Sequence, residues 1–176
     1  MLDVHVLISH DTSLPWQRQC LDSIHFAIEQ AGFAVTVHEV PGIPGHIGLG
    51  RAEGYARGVH PYVTCVDDDD YVLPRAFSQM GAALLLGVSA VCSPELTLQN
   101  GVFRPGVPRH HLIAYRRDQL IDHAVWPCCG DIAQIKTIKA DAIDLQEATY
   151  VHRLYMSSKA RVLRRSRQSE LERANA

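Results

Sequence analysis

The sequence lacks the cysteine patterns that mark disulfide-stabilised and zinc-binding proteins. Only five of its 176 residues are cysteines, and no two of them have the Cys-x-x-Cys spacing of a metal or redox motif. Cys128 and Cys129 are adjacent, which suits neither an ordinary disulfide nor tetrahedral metal coordination. The cysteine pattern therefore predicts a reduced, cytoplasmic protein.

A long apolar run is also missing. The longest apolar stretch, residues 80–91, is interrupted by Gly81, Gly87 and Ser89 and is too short to span a bilayer. The N-terminus enters a strand-like segment directly, without the charged and apolar regions of a signal peptide. We therefore predict no transmembrane segment.

Neither sign of charge dominates the composition. The chain has 17 Lys and Arg against 19 Asp and Glu, a net charge of -2, which argues against a surface built entirely for nucleic acid. Basic side chains exceed acidic ones in residues 159–176, so we divide the chain into a domain, 1–158, and a basic C-terminal tail or helix. The tail could contact phosphates of nucleic acid or an anionic membrane, or it could be a solvated terminal helix.

The spacing of apolar residues predicts alternating strands and helices. The predicted strands cover residues 3–9, 33–40, 62–66, 89–98 and 111–115. The predicted helices cover residues 15–31, 51–58, 74–86, 117–124 and 131–139, with loops at 41–50 and 99–108. The loop 41–50 is rich in glycine but has no Lys-Ser/Thr pair, so it is not a phosphate-binding P-loop. This order predicts a single α/β domain with a mainly parallel sheet flanked by helices.

Four consecutive aspartates, Asp67 to Asp70, follow the predicted strand 62–66. Because like charges repel, such a run is unfavourable unless a cation offsets it. The run lies at the carboxyl end of a strand, where ligands bind in open α/β sheets. If the segment stays extended, Asp67 and Asp69 share one face and offer two oxygen ligands to a hard divalent cation. The alternative is an exposed acidic turn whose first aspartate caps the next helix.

The segment RAEGYARGVHPYVTCVDDDDYVLP, residues 51–74, resembles the core signature of the inverting family 2 glycosyltransferases of the GT-A fold. In that family an Arg-Asn-x-Gly helix start is followed by a strand, an Asp-x-Asp-Asp run and a proline. The matching residues here are Arg51, Gly54, Asp67, Asp69, Asp70 and Pro74. The resemblance extends less sharply to Gly130-Asp131 and to the segment Tyr150-Val151-His152.

The resemblance implies a GT-A-like (Rossmann-like) domain that transfers a sugar from a nucleotide-diphosphate sugar, a UDP-sugar being favoured, with inversion. It implies a Mn²⁺ or Mg²⁺ cofactor held by Asp67, Asp69 and His152, and Asp131 as the catalytic base. The residues implied to bind the sugar nucleotide are Asp11, Glu39, Arg51, Asp67, Asp68 and Arg117.

Several of these assignments have plain structural alternatives. Asp131 could cap the following helix, and Asp11 could cap a turn. Arg51 could form a surface ion pair, Arg117 could belong to a solvated arginine pair, and His152 could be a structural histidine.

The sequence also departs from the family pattern. Ala52 replaces the usual asparagine, and Gly130 replaces the glutamate before the base. The aspartate pair that recognises the nucleotide base is missing, with Glu39 the nearest substitute.

Two other function classes fit an aspartate-bound metal. One is a sugar-nucleotide nucleotidyltransferase, which would need a basic glycine-rich loop after the first strand; SHDTSLPWQRQ contains none. The other is a non-catalytic sugar-nucleotide-binding module. The short segments after the acidic run predict an open acceptor site, suited to a glycan or to a hydroxymethylated base in DNA.

Overall fold

The computed structural model describes residues 1–126, 130–138 and 141–154 of the chain. The predicted tail, 159–176, and the boundary at residue 158 lie outside these residues. Within them the chain folds as a mixed α/β domain with a six-stranded sheet, a smaller four-stranded sheet and helices on both faces of the larger one. The predicted fold class is confirmed.

The larger sheet has the strand order β2-β1-β3-β8-β5-β9. Its strands are β1 (Leu2–Ile8), β2 (Val35–Pro41), β3 (Tyr62–Asp67), β5 (Ala90–Cys92), β8 (Ile113–Arg116) and β9 (Ala142–Asp144). β1 pairs in parallel with β2 and with β3, whereas β8 runs antiparallel to both β3 and β5. The carboxyl ends of β1, β2 and β3 therefore meet at one edge of the sheet, which positions the candidate site.

Four helices cover this sheet: α1 (Leu14–Glu29), α2 (Ile47–Ala56), α3 (Ala76–Leu84) and α4 (Gly130–Ile138). Helices α1 and α3 bury Cys20, Ile24 and Phe77 in one apolar cluster with Val4 and Val6 of β1. On the other face, α2 and α4 form a second cluster with alternate strand residues. Neighbouring strand residues thus enter opposite clusters, as the two-residue period of a strand requires.

The smaller sheet has the strand order β4-β10-β6-β7. Its strands are β4 (Tyr71–Val72), β6 (Glu95–Gln99), β7 (Val102–Pro105) and β10 (Tyr150–Arg153). The prediction of a loop over 99–108 was wrong, because β6 and β7 form a tight hairpin there. Asn100 and Gly101 form its turn with positive φ angles of 51° and 76°. Asn-Gly is the dipeptide that such two-residue turns favour.

Three further boundaries differ from the prediction. The predicted strand 89–98 is two strands in different sheets, interrupted at Pro94, which has no N–H to donate. The segment predicted as a helix over 117–124 contains two short 3₁₀ helices, Arg117–Gln119 and His123–Val125. Helix α2 begins at Ile47, four residues before the predicted start.

The early start of α2 has a packing reason. A Cβ atom on Gly48 would lie 1.8 Å from the carbonyl oxygen of Trp126, so only glycine lets the helix approach this segment. Gly48 of the predicted loop thus serves helix packing. No helix in the described part of the chain combines the length and apolar character needed to cross a membrane.

Candidate functional site

A cavity of about 330 Å³ opens at the edge where β1, β2 and β3 end. Loops after β1 and β2, the start of α2 and the acidic run enclose it; the lining includes Ser9, Asp11, Thr12, Gly42, Gly45, Ile47, Gly50, Asp67, Asp68 and Asp69. A larger groove of about 940 Å³ lies between α1 and β4, but its lining is mostly apolar and includes none of the four aspartates. Because charged groups converge in the smaller cavity, we take it as the candidate site.

The acidic run is a turn. Asp67 ends β3, and the Asp70 N–H donates to the Asp67 carbonyl oxygen at 3.0 Å. The alternation of faces expected for an extended segment is therefore wrong. The four carboxylates instead differ in the partners that the rest of the protein provides.

Asp68 is held by the loop after β1 and by α1. Its carboxylate accepts hydrogen bonds from the Ser9 N–H at 2.7 Å, the Thr12 hydroxyl at 2.8 Å and the Gln17 amide at 3.0 Å. Burial raises the pKa of Asp68, and these three donors partly offset that effect. Asp68 therefore fixes the loop that forms one wall of the cavity.

Asp70 is held by β10 of the smaller sheet. The buried carboxylate accepts hydrogen bonds from the Tyr150 hydroxyl at 2.7 Å, from His152 Nδ1 at 3.0 Å and from the Arg153 N–H at 2.7 Å. Asp70 thus ties the acidic turn to the smaller sheet. This contact is structural and leaves little capacity for a ligand.

Asp67 faces a cation. Its Oδ1 lies 3.5 Å from the guanidinium of Arg51, which is largely buried in α2. Burial raises the pKa of Asp67, but the charges of Arg51, His111 and His152 outweigh that effect and hold it below its usual value. The Asp67 carboxylate is therefore charged at neutral pH, and the predicted proximity of Arg51 to the acidic run is observed.

Of the four aspartates, Asp69 carries the charge that the protein offsets least. Burial raises the pKa of its carboxyl to about 7, and the charges of Asp70, Asp67 and Asp68 act in the same direction. A divalent cation would relieve this repulsion, and carboxylate oxygens are the ligands that Mg²⁺ and Mn²⁺ prefer. The donor set of Asp67 and Asp69 therefore fits the metal that the resemblance implies.

The structure separates the predicted nucleotide-binding residues into two groups. Asp11 lines the cavity with Asp67 and Asp68. Glu39 is exposed on β2 and is not part of the lining. Arg117 lies at the opposite edge of the sheet, where it donates to Asp3 Oδ2 at 2.6 Å and to the His60 carbonyl at 2.8 Å. We therefore leave Glu39 and Arg117 out of the candidate site, because their side chains do not reach the cavity.

His152 is grouped with Asp70 instead of with Asp67 and Asp69. Burial lowers its pKa, but the hydrogen bond to Asp70 and the charge of Asp70 raise it above the usual value overall. A protonated imidazole cannot ligate a metal, so the predicted metal role of His152 competes with its ion pair to Asp70.

Asp131 lies in the first turn of α4, which begins at Gly130. Its side chain is outside the part of the chain that the structure describes.

Sequence reasoning missed a cluster of Glu95, His110 and His111 beside the site. Burial raises the pKa of Glu95, but its contacts with the two histidines bring it well below the usual value. The adjacent histidines are visible in the sequence. Their link to Glu95, which starts β6, depends on how the β7–β8 loop folds back.

The fold is shared with solved glycosyltransferase structures. No protein-family model matches the sequence, and no curated protein matches it. Among solved structures, S. aureus TarS 1-349 in complex with UDP-GlcNAc matches 89% of this chain with a TM-score of 0.65 and 14% identity. The same protein in complex with UDP matches 86% with a TM-score of 0.62 and 14% identity. The chain spans 59% and 60% of those two chains.

A197 from STIV is similar over 89% of this chain and 87% of its own, with a TM-score of 0.53 and 12% identity. Similarity at this level of identity establishes the fold. The chain therefore has a GT-A-like fold, that of the nucleotide-sugar glycosyltransferases.

Proposed function

We propose that this protein is an inverting, metal-dependent glycosyltransferase that uses a nucleotide-diphosphate sugar, with a UDP-sugar as the favoured donor. The observation that carries the proposal is the division of the acidic run. Asp68 and Asp70 are held by hydrogen bonds within the protein, whereas Asp67, which is paired with Arg51, and Asp69, whose charge the protein offsets least, line the cavity. The complexes of TarS with UDP and UDP-GlcNAc support the choice of donor.

Asp67 and Asp69 would hold Mn²⁺ or Mg²⁺, which neutralises charge on the leaving nucleoside diphosphate when it is bound. Arg51 holds Asp67 from the side of α2 at 3.5 Å and adds positive charge next to the expected phosphate position. Asp11, which also lines the cavity, is proposed to contact the ribose or the base.

Asp131 is proposed to be the general base. It would take a proton from the acceptor hydroxyl while that oxygen attacks the anomeric carbon and the bond to the nucleoside diphosphate breaks. The motif resemblance supports this role, and Asp131 lies in the first turn of α4.

The proposed acceptor is a glycan or a hydroxymethylated base in DNA. The basic tail, 159–176, would contribute contacts to nucleic acid or to an anionic membrane. Deletion of residues 159–176 should reduce DNA affinity and its salt dependence; an unchanged affinity would remove the tail from acceptor binding.

Calorimetric titration with UDP-GlcNAc, with and without Mn²⁺, tests the proposal. We expect Mn²⁺-dependent binding that weakens by at least about 10-fold in Asp69→Asn, because one metal ligand loses its charge. Asp22→Asn is the matched control, since Asp22 is exposed on α1 outside the candidate cavity. Asp131→Asn should keep donor binding but lose hydrolysis or transfer of radiolabelled donor. Equal donor affinity in Asp69→Asn and the unmodified chain would refute the site.

A further inference from the structure

A second group of metal-ligand side chains lies beside the acidic turn, between β6 and the loop that joins β7 to β8. It consists of Glu95, His110 and His111, whose ligand atoms all lie within 4.8 Å of one another. We propose that these three residues bind a first-row transition-metal ion of the Zn²⁺ class, at a site separate from Asp67 and Asp69. The proposal does not depend on the transferase activity.

The two imidazoles converge on the two oxygens of one buried carboxylate. His111 Nδ1 lies 2.5 Å from Glu95 Oε2, and His110 Nδ1 lies 3.8 Å from Glu95 Oε1. The Glu95 side chain is 2% exposed. Within the described part of the chain, the buried Nδ1 of His110 has no hydrogen-bond partner. This nitrogen approaches the carboxylate only at ion-pair distance, beyond hydrogen-bond range, so it remains able to bind a metal ion.

The backbone around Glu95 is built to hold this carboxylate in place. The Val107 N–H donates to Glu95 Oε1 at 2.9 Å, and the Gly106 N–H donates to the Glu95 carbonyl at 2.9 Å. A Cβ atom on Gly106 would lie 2.2 Å from Glu95 Cγ, so the loop can close over the side chain only with glycine here. The carboxylate is therefore fixed before any ion binds, in the way that hydrogen bonds to ligating carboxylates orient them in known metal sites.

A competing group shares His111 and consists of Asp70, His111 and His152. Its carboxylate is already occupied, because Asp70 accepts from Tyr150, His152 and the Arg153 N–H. His152 Nδ1 is used in that contact. His110 Nδ1 makes no hydrogen bond to the residues that the structure describes, so the observations favour the group with Glu95 as the metal site.

The ligand chemistry selects the class of ion. Two imidazole nitrogens and one carboxylate are typical ligands of Zn²⁺ and Co²⁺, and they leave a coordination position open. Mg²⁺ prefers oxygen ligands and suits the Asp67 and Asp69 pair instead. An ion at Glu95 would also fix the position of His111, which lines a small internal space with Arg51 and Asp67.

The test uses the full chain, freed of metal with a chelator and titrated with Co²⁺. We expect one equivalent of Co²⁺ to bind with the visible absorption of a site with nitrogen ligands, and Zn²⁺ to displace it. His110→Ala should weaken binding at least 10-fold, and Glu95→Gln should do the same. His110 is the primary variant because its side chain is 36% exposed, so its replacement leaves the core intact. Circular dichroism of each variant in chelator checks the fold.

Two controls separate this site from its neighbours. His25→Ala, an exposed position on α1, should leave Co²⁺ binding unchanged, and in Asp69→Asn the visible absorption of the nitrogen-ligand site should persist. The proposal is overturned if the chain binds no Co²⁺ or Zn²⁺ at equimolar concentration, or if Asp69→Asn removes the signal. It is also overturned if His152→Ala removes the signal while His110→Ala retains it, because the ion would then sit on Asp70.

Discussion

The two edges of the larger sheet, at the amino ends and at the carboxyl ends of its strands, carry aspartates in opposite electrostatic situations. At the amino edge, Asp3 near the start of β1 is 1% exposed, and cationic and N–H groups surround it. At the carboxyl edge, Asp69 lies among three other carboxylates. Both groups are aspartates beside strand ends in the same sheet. The difference shows that two aspartates beside strand ends of one sheet can have opposite surroundings, and our proposal places the ligand where the protein offsets the negative charge least.

At the amino edge, several partners offset the negative charge of the Asp3 carboxylate. Asp3 accepts from His38 Nε2 at 2.9 Å, from the His60 N–H at 2.8 Å and from the Arg117 guanidinium at 2.6 Å. Burial raises the pKa of Asp3, but these partners hold it below the usual value. Asp3 therefore stabilises the fold through partners within the protein, whereas the weakly offset charge of Asp69 at the carboxyl edge supports the ligand site proposed there.

The largest expected effect on stability comes from removing the cation that pairs with Asp3 at the amino edge. Arg117→Met should lower the free energy of unfolding by about 3–5 kcal/mol, because it leaves Asp3 buried with a missing cation. Urea denaturation followed by circular dichroism measures this change. Arg116→Met is the matched control, since Arg116 pairs with the exposed Asp118 and should leave the unfolding midpoint nearly unchanged. A stable Arg117→Met chain with weakened donor binding would return Arg117 to the nucleotide site.

A smaller loss of stability is expected at low pH, because of His5 in the middle of β1. Burial lowers the pKa of His5 to about 4 from 6.5, and the charge of His38 acts in the same direction. Because the unfolded chain takes up this proton first, stability falls as the pH drops from 6.5 to about 4, by up to about 3 kcal/mol. In His5→Gln the free energy of unfolding should depend less steeply on pH in that range. The exposed His25→Gln should keep the full slope, and an equal slope in His5→Gln would contradict the assignment.

The smallest effect distinguishes two neighbours within the acidic turn. Asp68→Ala should lower the free energy of unfolding by about 1–3 kcal/mol, because the Ser9 N–H, Thr12 and Gln17 lose their acceptor. Asp69→Ala should leave stability in metal-free buffer unchanged or slightly higher, because a repelling charge is removed. Thermal melts of both variants in chelator measure the contrast. Equal losses would show that the turn has no division between structural and ligand carboxylates.

Much of the architecture was predictable from local pattern. The strand 62–66, the helix over 15–31 and the strand 33–40 correspond to β3, α1 and β2, because apolar periodicity reflects burial on a sheet or a helix face. The hairpin at Asn100-Gly101 was missed although its dipeptide is a known turn signal. The segment at 117–124 was misjudged because tertiary contacts of Arg117 replaced helical propensity.

The candidate site was predictable only in part. The sequence placed Arg51 and the acidic run near one another, and the structure brings Arg51 within 3.5 Å of Asp67. It also assigned Arg117 and Glu39 to the nucleotide, whereas their side chains lie away from the cavity. No pattern in the sequence linked Glu95 to His110 and His111, since the contact spans a hairpin and a loop.

The α/β order of elements and the run of negative charge at the end of β3 follow from neighbouring residues and can be derived from the sequence. Which aspartates are available depends on contacts that form only on folding. The donors that occupy Asp68 and Asp70 lie between 51 and 83 positions away along the chain. Four identical side chains in a row therefore acquire different roles from distant partners, since a hydrogen bond depends on proximity in space.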